Sequence, residues 1–414
     1  MESITLAAPT RLRAVINLPA SKSISNRALV LSALSGGVHP PINLSDCDDT
    51  RVMLRALQGC DTLVDIGAAG TAMRFLSAYF SVTKGCHEIT GTERMLRRPI
   101  GVLVTALRQL GASVSYMGAE GFPPLRIEGR ELSGGSLCLP GDVSSQYISA
   151  LLMIAPRVSG GLCLRLTGGT VSRPYIDMTL SLMREFGAEA RWEGDDVICV
   201  SERPYRAVEY SVEADWSAAS YWYEAVALSR DAGAEVSLEG LCGQSLQGDS
   251  RVSEFFLPLG VRTTFTPDGV RLSKCPMTVS HLELDLREQP DLAQTLVATC
   301  CCLGVTFRLR GLRNLRIKET DRIRAMQTEL GKLGFILGAT DDGEICWTGE
   351  RTKAHSFPSI DTYDDHRMAM SLAPCCLRCG ALSINNPSVV SKSYPRFWDD
   401  LASAAFRITK ADEL

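Results

Sequence analysis

The sequence predicts an α/β fold assembled from related units, in which helices alternate with short strands. The main observation is a repeat, in which an apolar segment with helical periodicity ends at a glycine and a strand follows. Its clearest copies end at Gly111, Gly187, Gly260 and Gly334, at spacings of 76, 73 and 74 residues. Glycine just past a helix is the usual left-handed cap, and recurrence at a fixed period is a property of a whole fold.

Weaker copies extend the repeat towards both ends of the chain. One is the apolar segment Val52–Leu57, and another lies between residues 394 and 401. Six units therefore fit, each with a second helix and further strands, such as a helix at 145–154 and a strand at 162–166. A boundary near Asp215 divides the units evenly, and the first strand is then free to belong to the second half.

Composition excludes several classes of function. The chain has 414 residues, with 45% hydrophobic and 22% charged, which is ordinary for a soluble protein of two or more domains. Its net charge of −4 argues against general binding of nucleic acid, which requires a basic face. No apolar run approaches the roughly 20 residues that span a bilayer, and the first residues lack the apolar core of a secretory signal. We therefore expect a cytoplasmic protein without a membrane partner.

The 15 cysteines lie mostly inside apolar runs, such as Cys300–Cys302 and Cys375–Cys376. The pair Cys376-x-x-Cys379 has no second pair to complete a zinc site, and the five histidines show no metal-ligand spacing. Buried thiols behave as small hydrophobic groups, and disulfides are rare in a reducing cytosol. We expect free cysteines, no metal and no cofactor.

The first cluster with chemical content is Pro19–Arg27, between a strand expected at 14–18 and a helix that begins behind it. It places Lys22 and Arg27 among small hydroxyl residues. The first N–H groups of a helix have no internal partner and favour an anion, so this layout suits a phosphate. The alternative is a capped surface helix with two solvated cations.

Similar clusters recur in the first half of the chain. Gly67–Arg74 follows a strand and opens a helix, which suits an anion or simply a tight turn. Three arginines, Arg94, Arg97 and Arg98, precede Pro99, which suits the first turn of a helix. The helix dipole disfavours cations at that end, and residues that depart from such a local rule are candidates for a functional site. The segment 142–147 contains Ser144, Ser145 and Gln146; it either caps a helix or binds a hydroxylated or phosphorylated ligand.

Charged clusters also open helices in the second half. Lys318–Arg322 precedes an apolar helix, and Asp291 lies upstream of it. The segment 363–370 again places polar groups before an apolar helix, and Lys392 stands alone near the end. Adjacent opposite charges are commonly just solvated, but carboxylates beside cations can be tuned for proton transfer.

Together these clusters resemble the EPSP (5-enolpyruvylshikimate-3-phosphate) synthase family. Four motifs occur in family order between Leu18 and about Phe397: Pro-x-Ser-Lys-Ser-x-Ser-Asn-Arg, Gly-x-Ala-Gly-Thr-Ala-x-Arg, Lys-Glu-Thr-Asp-Arg and Asp-His-Arg-Met-Ala-Met. The resemblance implies a two-domain inside-out α/β barrel, each domain built of three βαβαββ units. It implies one domain at 20–215 and a second formed by 1–19 plus 216–414, with the active site in the cleft between them.

The resemblance also implies the reaction and its residues. The enolpyruvyl group of phosphoenolpyruvate is transferred to the 5-hydroxyl of shikimate 3-phosphate, giving EPSP and phosphate, without metal or cofactor. The residues implied for shikimate 3-phosphate are Lys22, Ser23, Arg27, Ser144, Ser145, Gln146, Ser172, Tyr175, Asp291, Asn314 and Lys318. Those implied for phosphoenolpyruvate are Lys22, Gly70, Arg98, Gln146, Arg322, His366, Arg367 and Lys392.

Proton transfer in this reaction needs at least two groups. Our hypothesis is that Glu319 protonates the methylene carbon and that Asp291 or Lys22 takes the hydroxyl proton. Lys22 and Lys392 would stabilise developing charge. Both substrates are small molecules, and we expect a monomer.

The sequence departs from the family at a few positions. Ala68 stands where the family often has Asn, Phe75 replaces a common Pro, and Trp216 lies in a run usually made of small residues. In this family the positions around Gly70 govern the inhibitor glyphosate, so Gly70 suggests sensitivity while Ala68 and Phe75 leave it open.

Two alternatives compete with this interpretation. The related UDP-N-acetylglucosamine enolpyruvyl transferases share the fold, but they carry a reactive cysteine where this chain has the cysteine-free segment 92–98. A non-catalytic phosphate-binding scaffold with the same fold predicts erosion of the charged groups, and the charged groups are present here.

Overall fold

The computed structural model describes residues 2–37, 39–59 and 61–410, in which helices and short strands alternate. The strands are β1 Ser3–Ala7, β2 Arg13–Asn17, β3 Leu63–Asp65, β4 Cys86–Thr90, β5 Ser113–Tyr116, β6 Leu125–Glu128, β7 Ser133–Pro140, β8 Ser159–Thr167, β9 Ala190–Trp192, β10 Val197–Val200, β11 Glu235–Glu239, β12 Val261–Thr266, β13 Gly269–Lys274, β14 His281–Asp285, β15 Thr306–Arg310, β16 Gly338–Ala339, β17 Ile345–Trp347, β18 Ser359–Ile360, β19 Leu382–Asn385 and β20 Arg407–Lys410. The α-helices are α1 Lys22–Leu34, α2 Asp48–Gln58, α3 Gly70–Val82, α4 Glu93–Leu96, α5 Gly101–Gln109, α6 Ser145–Ile154, α7 Arg173–Glu185, α8 Trp216–Leu228, α9 Val252–Phe256, α10 Ala293–Leu303, α11 Arg322–Lys332, α12 His366–Leu372, α13 Cys376–Cys379 and α14 Phe397–Ser403. Short 3₁₀ helices span Ala155–Arg157, Gly248–Arg251, Pro290–Leu292, Arg313–Ile317, Ala373–Cys375 and Pro387–Lys392.

The described chain divides into two units. One runs from Ala20 to Val212, and the other combines the segment up to Pro19 with the chain from Glu213 onward. We call them the central unit and the terminal unit. Each has its own hydrophobic core. Helices buried on all sides run through these cores, for example α6 in the central unit and α8 in the terminal unit.

The described residues form five four-stranded sheets that share one topology. In the sheets β3-β4-β6-β5 and β7-β8-β10-β9, the first two strands are parallel and the other neighbours are antiparallel. The same order holds for β14-β15-β17-β16. In these three sheets the elements follow the order βαβαββ along the chain, and each of the other two sheets takes one strand from the N-terminal segment. The α/β fold predicted from the repeat is thus confirmed.

The N-terminal segment completes two sheets of the terminal unit. Strand β2 pairs in parallel with β11, and β1 lies antiparallel between β19 and β20. These pairs join residues more than 200 positions apart in sequence, so local periodicity alone does not specify them.

The sixth predicted unit, which contains α1 and α2, lacks a four-stranded sheet among the described residues. In place of a sheet, Ile42 forms a parallel bridge with Ser211. The Ile42 N–H donates to the Tyr210 carbonyl oxygen at 2.8 Å, and the Ile42 carbonyl oxygen accepts from the Val212 N–H at 3.0 Å. Pro40 and Pro41 precede this bridge. Because proline has no N–H to donate to a ladder, the bridge does not extend in that direction.

The glycine caps that define the repeat adopt the predicted conformation. Gly111, Gly187, Gly260 and Gly334 all have φ between 88° and 96°, in the region that favours glycine. Gly59, in the weaker copy, is instead extended with φ of −82°. Periodicity placed the last helix between residues 394 and 401, and in the structure this helix begins at Phe397.

The expectation of free cysteines is wrong for one pair. Cys163 and Cys199 lie directly opposite each other on β8 and β10 and form a disulfide. Two strands that are far apart in sequence bring them together, so their spacing in the chain gave no signal. The described residues contain no cluster suited to a metal, and none of their helices is long and apolar enough to cross a membrane.

Candidate active site

The central unit carries its predicted site residues at the N-terminal ends of four helices. Lys22 and Gly70 are the first residues of α1 and α3, and Ser145 is the first residue of α6. Ser172 is the N-cap of α7. The free N–H groups at such ends attract anions, so this unit offers several of them to a ligand.

Arg27 connects three of these helices. From α1 its Nε donates to Thr179 Oγ1 on α7 at 2.7 Å, and its Nη2 donates to Ser149 Oγ on α6 at 3.1 Å. Its other bonds go to the carbonyl oxygens of Ser23 and Tyr175. Burial lowers the pKa of Arg27 to about 10, which the nearby Tyr175 partly opposes. A buried guanidinium bonded to neutral oxygens is suited to an anionic ligand.

Lys22 already has a counter-ion in this structure. Its Nζ lies 3.3 Å from Oδ2 of Asp49, a buried residue in the first turn of α2. The sequence analysis did not identify Asp49, because acidic residues at the start of a helix are explained by the dipole alone.

Two contacts hold the remaining helix ends of this unit together. Gln146 Nε2 donates to Thr71 Oγ1 at 3.2 Å, which joins α6 to α3. The guanidinium of Arg98 lies against Gly70, so close that an added Cβ would stand 2.5 Å from Nη1. Glycine at position 70 is therefore what lets Arg98 reach the start of α3.

The other predicted residues of the central unit have local roles as well. Ser144 caps α6 by accepting from the N–H of Gln146 at 3.3 Å. Ser172 is buried with φ of 55°, a strained conformation for a residue with a Cβ. Such strain is often found at functional sites.

The arginine cluster before Pro99 does not form as a unit. Arg94 lies in the short helix α4 and Arg97 is its C-cap; both side chains are exposed, and only Arg98 turns inward to Gly70. The helix that follows the arginines, α5, begins at Gly101, two residues after Pro99.

Arg322 is the centre of the cluster in the terminal unit. Its side chain is 2% exposed and makes a two-point contact with Asp365, with Nε–Oδ2 at 2.7 Å and Nη2–Oδ1 at 3.2 Å. It also donates to Glu319 at 2.9 Å and to Asp291 at 3.3 Å. Although burial alone lowers the pKa of Arg322, these three carboxylates raise it above its usual value. Arg322 therefore fixes the positions of both predicted acids.

Arg367 joins the same cluster from the start of α12. Its Nη2 lies 2.9 Å from Asp291 Oδ2, and its Nη1 donates to the hydroxyl of Tyr221 at 3.4 Å. Burial by itself raises the pKa of Asp291, but Arg367, Lys318 and Arg322 hold it well below its usual range, against the influence of Glu319. Asp291 is therefore ionised at neutral pH.

Glu319 and Lys392 form the other side of the cluster. Lys392 Nζ lies 3.4 Å from Glu319 Oε1, while Arg322 holds Oε2 of the same carboxylate. Lys392 ends a 3₁₀ helix and is largely buried, although nothing in its local sequence distinguishes it. Only the fold brings it to Glu319.

His366 and Asn314 also belong to this unit. His366 is buried at the start of α12, with its Nδ1 3.7 Å from Asp365 Oδ1. Asn314 lies in the 3₁₀ helix that precedes Lys318, and its Oδ1 is buried without a hydrogen-bond partner among the described residues. An unpaired buried amide oxygen is costly unless a ligand donates to it.

Sequence reasoning missed several members of this cluster. Asp365 was quoted within a motif but given no role, and here it caps α12 and pairs with Arg322. Ser217 and Tyr221, on α8, contact Arg367. Asp249, in the 3₁₀ helix Gly248–Arg251, accepts a hydrogen bond from Ser217. Two features of the sequence could have identified these residues: the acid next to His366, and the N-cap sequence at Asp215 that begins α8. Polar residues on an otherwise apolar helix such as α8 are candidates for a site.

Comparisons with known proteins agree with these motifs. A family model described as EPSP synthase (3-phosphoshikimate 1-carboxyvinyltransferase) matches residues 6–60 and 57–401. A 3-phosphoshikimate 1-carboxyvinyltransferase of Bacteroides fragilis is 56% identical, covering 99% of both chains. One of Vibrio atlanticus is 37% identical, covering 97% of this chain and 99% of that protein.

Solved structures support the same architecture. An EPSP synthase from Acinetobacter baumannii superposes with a TM-score of 0.78, covering 99% of this chain and 100% of that one. The identity between the two is 23%, so this likeness concerns the fold alone.

Proposed function

We infer the function from one premise: the chain belongs to the EPSP synthase (3-phosphoshikimate 1-carboxyvinyltransferase) family and is a transferase. The observation that carries the proposal is the terminal-unit cluster, in which two arginines hold Asp291 and Glu319 side by side with Lys392. The proposed reaction moves the enolpyruvyl group of phosphoenolpyruvate to the 5-hydroxyl of shikimate 3-phosphate, as a step of aromatic amino acid biosynthesis.

We propose that the residues implied by the family resemblance bind the two substrates. In the central unit, shikimate 3-phosphate is bound through Lys22, Ser23, Arg27, Ser144, Ser145, Gln146, Ser172 and Tyr175. In the terminal unit, Asp291, Asn314 and Lys318 bind the same substrate. Phosphoenolpyruvate is bound through Lys22, Gly70, Arg98, Gln146, Arg322, His366, Arg367 and Lys392. Several cations are needed because both substrates are multiply charged anions.

The first chemical step is addition. The 5-hydroxyl oxygen forms a bond to C2 of phosphoenolpyruvate, C3 gains a proton, and the hydroxyl loses its proton. We assign protonation of C3 to Glu319 and removal of the hydroxyl proton to Asp291 or Lys22. In the second step the C2–O bond to phosphate breaks, C3 loses a proton, and EPSP and phosphate leave.

The environment of Asp291 supports its assignment as a base. Although burial by itself raises the pKa of Asp291, Arg367, Lys318 and Arg322 hold it low, so the carboxylate is ionised before substrate binds. Two substrate anions that share these cations weaken that effect, and the proton affinity of Asp291 then rises. Lys392 lies beside Glu319, where it can stabilise charge that develops as the proton moves.

The alternative substrate UDP-N-acetylglucosamine is not favoured, because the family model and the full-length relatives are described as 3-phosphoshikimate 1-carboxyvinyltransferases. No observation favours the non-catalytic scaffold, since the cations and carboxylates of the terminal cluster are present and mutually paired. A cytoplasmic location and a monomeric state complete the proposal.

The decisive experiment is release of inorganic phosphate from phosphoenolpyruvate, with and without shikimate 3-phosphate. Release that depends on shikimate 3-phosphate supports the proposal, and UDP-N-acetylglucosamine should not replace it. As a matched pair, Lys392→Met should reduce the rate severely, whereas Lys410→Met, at the end of β20, should not. Absence of release with either acceptor would refute the proposed activity.

A further inference from the structure

Asp249 is a buried acid beside the cluster that the proposed reaction does not use. It lies in the 3₁₀ helix Gly248–Arg251, and the residue is 3% exposed. Its Oδ2 accepts a hydrogen bond from the Ser217 hydroxyl, and its Oδ1 has no hydrogen-bond partner among the described residues. An ionised carboxylate in this position would leave one buried oxygen unpaired, at a considerable cost.

Ser217 connects Asp249 to Arg367. The Ser217 hydroxyl has a single proton, which it donates to Asp249, and its oxygen lies 3.5 Å from Nη2 of Arg367. The same Nη2 lies 2.9 Å from Asp291. The contacts therefore lead from the Asp249 carboxyl group through the Ser217 hydroxyl and the Arg367 guanidinium to the carboxylate of Asp291.

The charged groups that face Asp249 come from three elements. Asp215 is the N-cap of α8, Asp291 lies in the 3₁₀ helix Pro290–Leu292, and Arg367 lies at the start of α12. Burial and then Asp291 raise the pKa of Asp249 to about 7; Arg367 and the Ser217 hydrogen bond act in the opposite direction. The environments thus separate two neighbouring acids, of which Asp291 is ionised and Asp249 is poised to hold a proton near neutral pH.

We propose that Asp249 is a positioning residue for the anion-binding Arg367. In its neutral form it fixes Ser217 against the guanidinium of Arg367 without adding a second negative charge beside that of Asp291. When it ionises, a second carboxylate competes with the substrate anion for that charge. The inference rests on the proposed function in one respect, namely that Arg367 binds phosphoenolpyruvate.

Linkage determines the direction and size of the effect. An anion on Arg367 favours the neutral form of Asp249, so ionisation of Asp249 must weaken binding of that anion by the same factor. If the bound substrate raises the pKa of Asp249 by about one unit, affinity falls on the order of tenfold as the pH passes through that ionisation.

The test is the pH dependence of KM for phosphoenolpyruvate in wild type and Asp249→Asn, from about pH 6 to about pH 8.5, which spans the ionisation. The amide accepts the Ser217 hydrogen bond but cannot ionise. We expect KM to rise on the order of tenfold in wild type and to lose that rise in the variant. The substrate's own phosphate ionises in both experiments, so the difference between the two profiles reports Asp249.

The matched control is Glu224→Gln, which replaces another fully buried carboxyl group of the same unit, on α8, by an amide that cannot titrate. Its KM profile should follow wild type. Ser217→Ala gives a second test that keeps the carboxyl group. The Ser217 hydrogen bond lowers the pKa of Asp249, so its loss should move the rise in KM to higher pH.

The inference is overturned if wild type and Asp249→Asn have equal pH profiles of KM, or if the profile of Ser217→Ala does not shift. In either case the proposed function still stands, because the proteins turn over substrate. If no protein turns over, the proposed function fails. Binding of phosphoenolpyruvate is then measured at both pH extremes by tryptophan fluorescence, to which Trp216, next to Asp215, contributes. A pH dependence of affinity that is smaller in Asp249→Asn than in wild type still supports the inference, and an equal pH dependence in the two proteins refutes it.

Discussion

Replacement of Asp365 by Asn tests whether the buried ion pair with Arg322 stabilises the folded terminal unit. Both side chains are almost inaccessible, at 0% and 2% exposed, and they meet through two hydrogen bonds of 2.7 and 3.2 Å. The amide keeps an oxygen that can cap α12, where Asp365 accepts from the N–H of Arg367. The substitution therefore removes the charge while it preserves shape and cap.

The expected loss follows from the partners that Arg322 retains. Breaking a buried ion pair costs about 3–5 kcal/mol, because the remaining charge stays desolvated. Arg322 still contacts Asp291 and Glu319, so we expect the lower end, roughly 3 kcal/mol of the free energy of unfolding. Because Arg322 also positions both acids, kcat should fall as well.

The assay is urea unfolding followed by tryptophan fluorescence. Of the 5 tryptophans only Trp192 lies outside the terminal unit, so the signal reports mainly that unit. Asp361→Asn is the matched control, because its side chain is 51% exposed and its pair with Lys332 should contribute less than about 1 kcal/mol. If both variants lose equally little stability, the buried pair does not stabilise the unit as argued here.

Three further outcomes are expected. Gly70→Ala should displace Arg98 and raise KM for phosphoenolpyruvate roughly tenfold, with little change in the free energy of unfolding. The control is Gly331→Ala in α11, where the added methyl group enters open space and should leave KM unchanged. Equal KM values for the two variants would contradict the argument. Glu319→Gln should lower kcat by about 100-fold or more with only small changes in KM, and near-native turnover would remove this residue from proton transfer. Burial raises the pKa of Glu224, so the folded state holds a proton that the unfolded chain releases, and stability should fall as the pH rises above the unfolded carboxyl value of about 4.3. Urea titrations at several pH values should show a smaller fall in Glu224→Gln, and identical slopes would refute this.

The fold could be predicted from the sequence where local structure decides it. Helices that end at Gly111 or Gly334 follow from apolar periodicity and from the positive φ of the glycine. The reduced sheet near Ile42 was not predicted, because periodicity detects helices better than it detects the strands that pair with them. The disulfide between Cys163 and Cys199 was missed for the same reason, since it depends on strand register.

The candidate site was predicted only as separate clusters. Local sequence identified Lys22 and Arg322 as charged residues at helix starts, and the family resemblance added their roles. It did not identify their partners Asp49 and Asp365, since an acid in the first turn or at the N-cap of a helix is sufficiently explained by the helix itself.

By itself, then, the sequence determined the repeat, the helix ends and the identity of the groups that can bind anions, because each depends on neighbours within a few residues. The tertiary structure alone decided which charges meet. Lys392 reaches Glu319, and Asp249 reaches Arg367 through Ser217, across intervals of sequence that carry no signal. The physical reason is that burial sets proton affinity, and a charge has known partners only once the chain has packed around it.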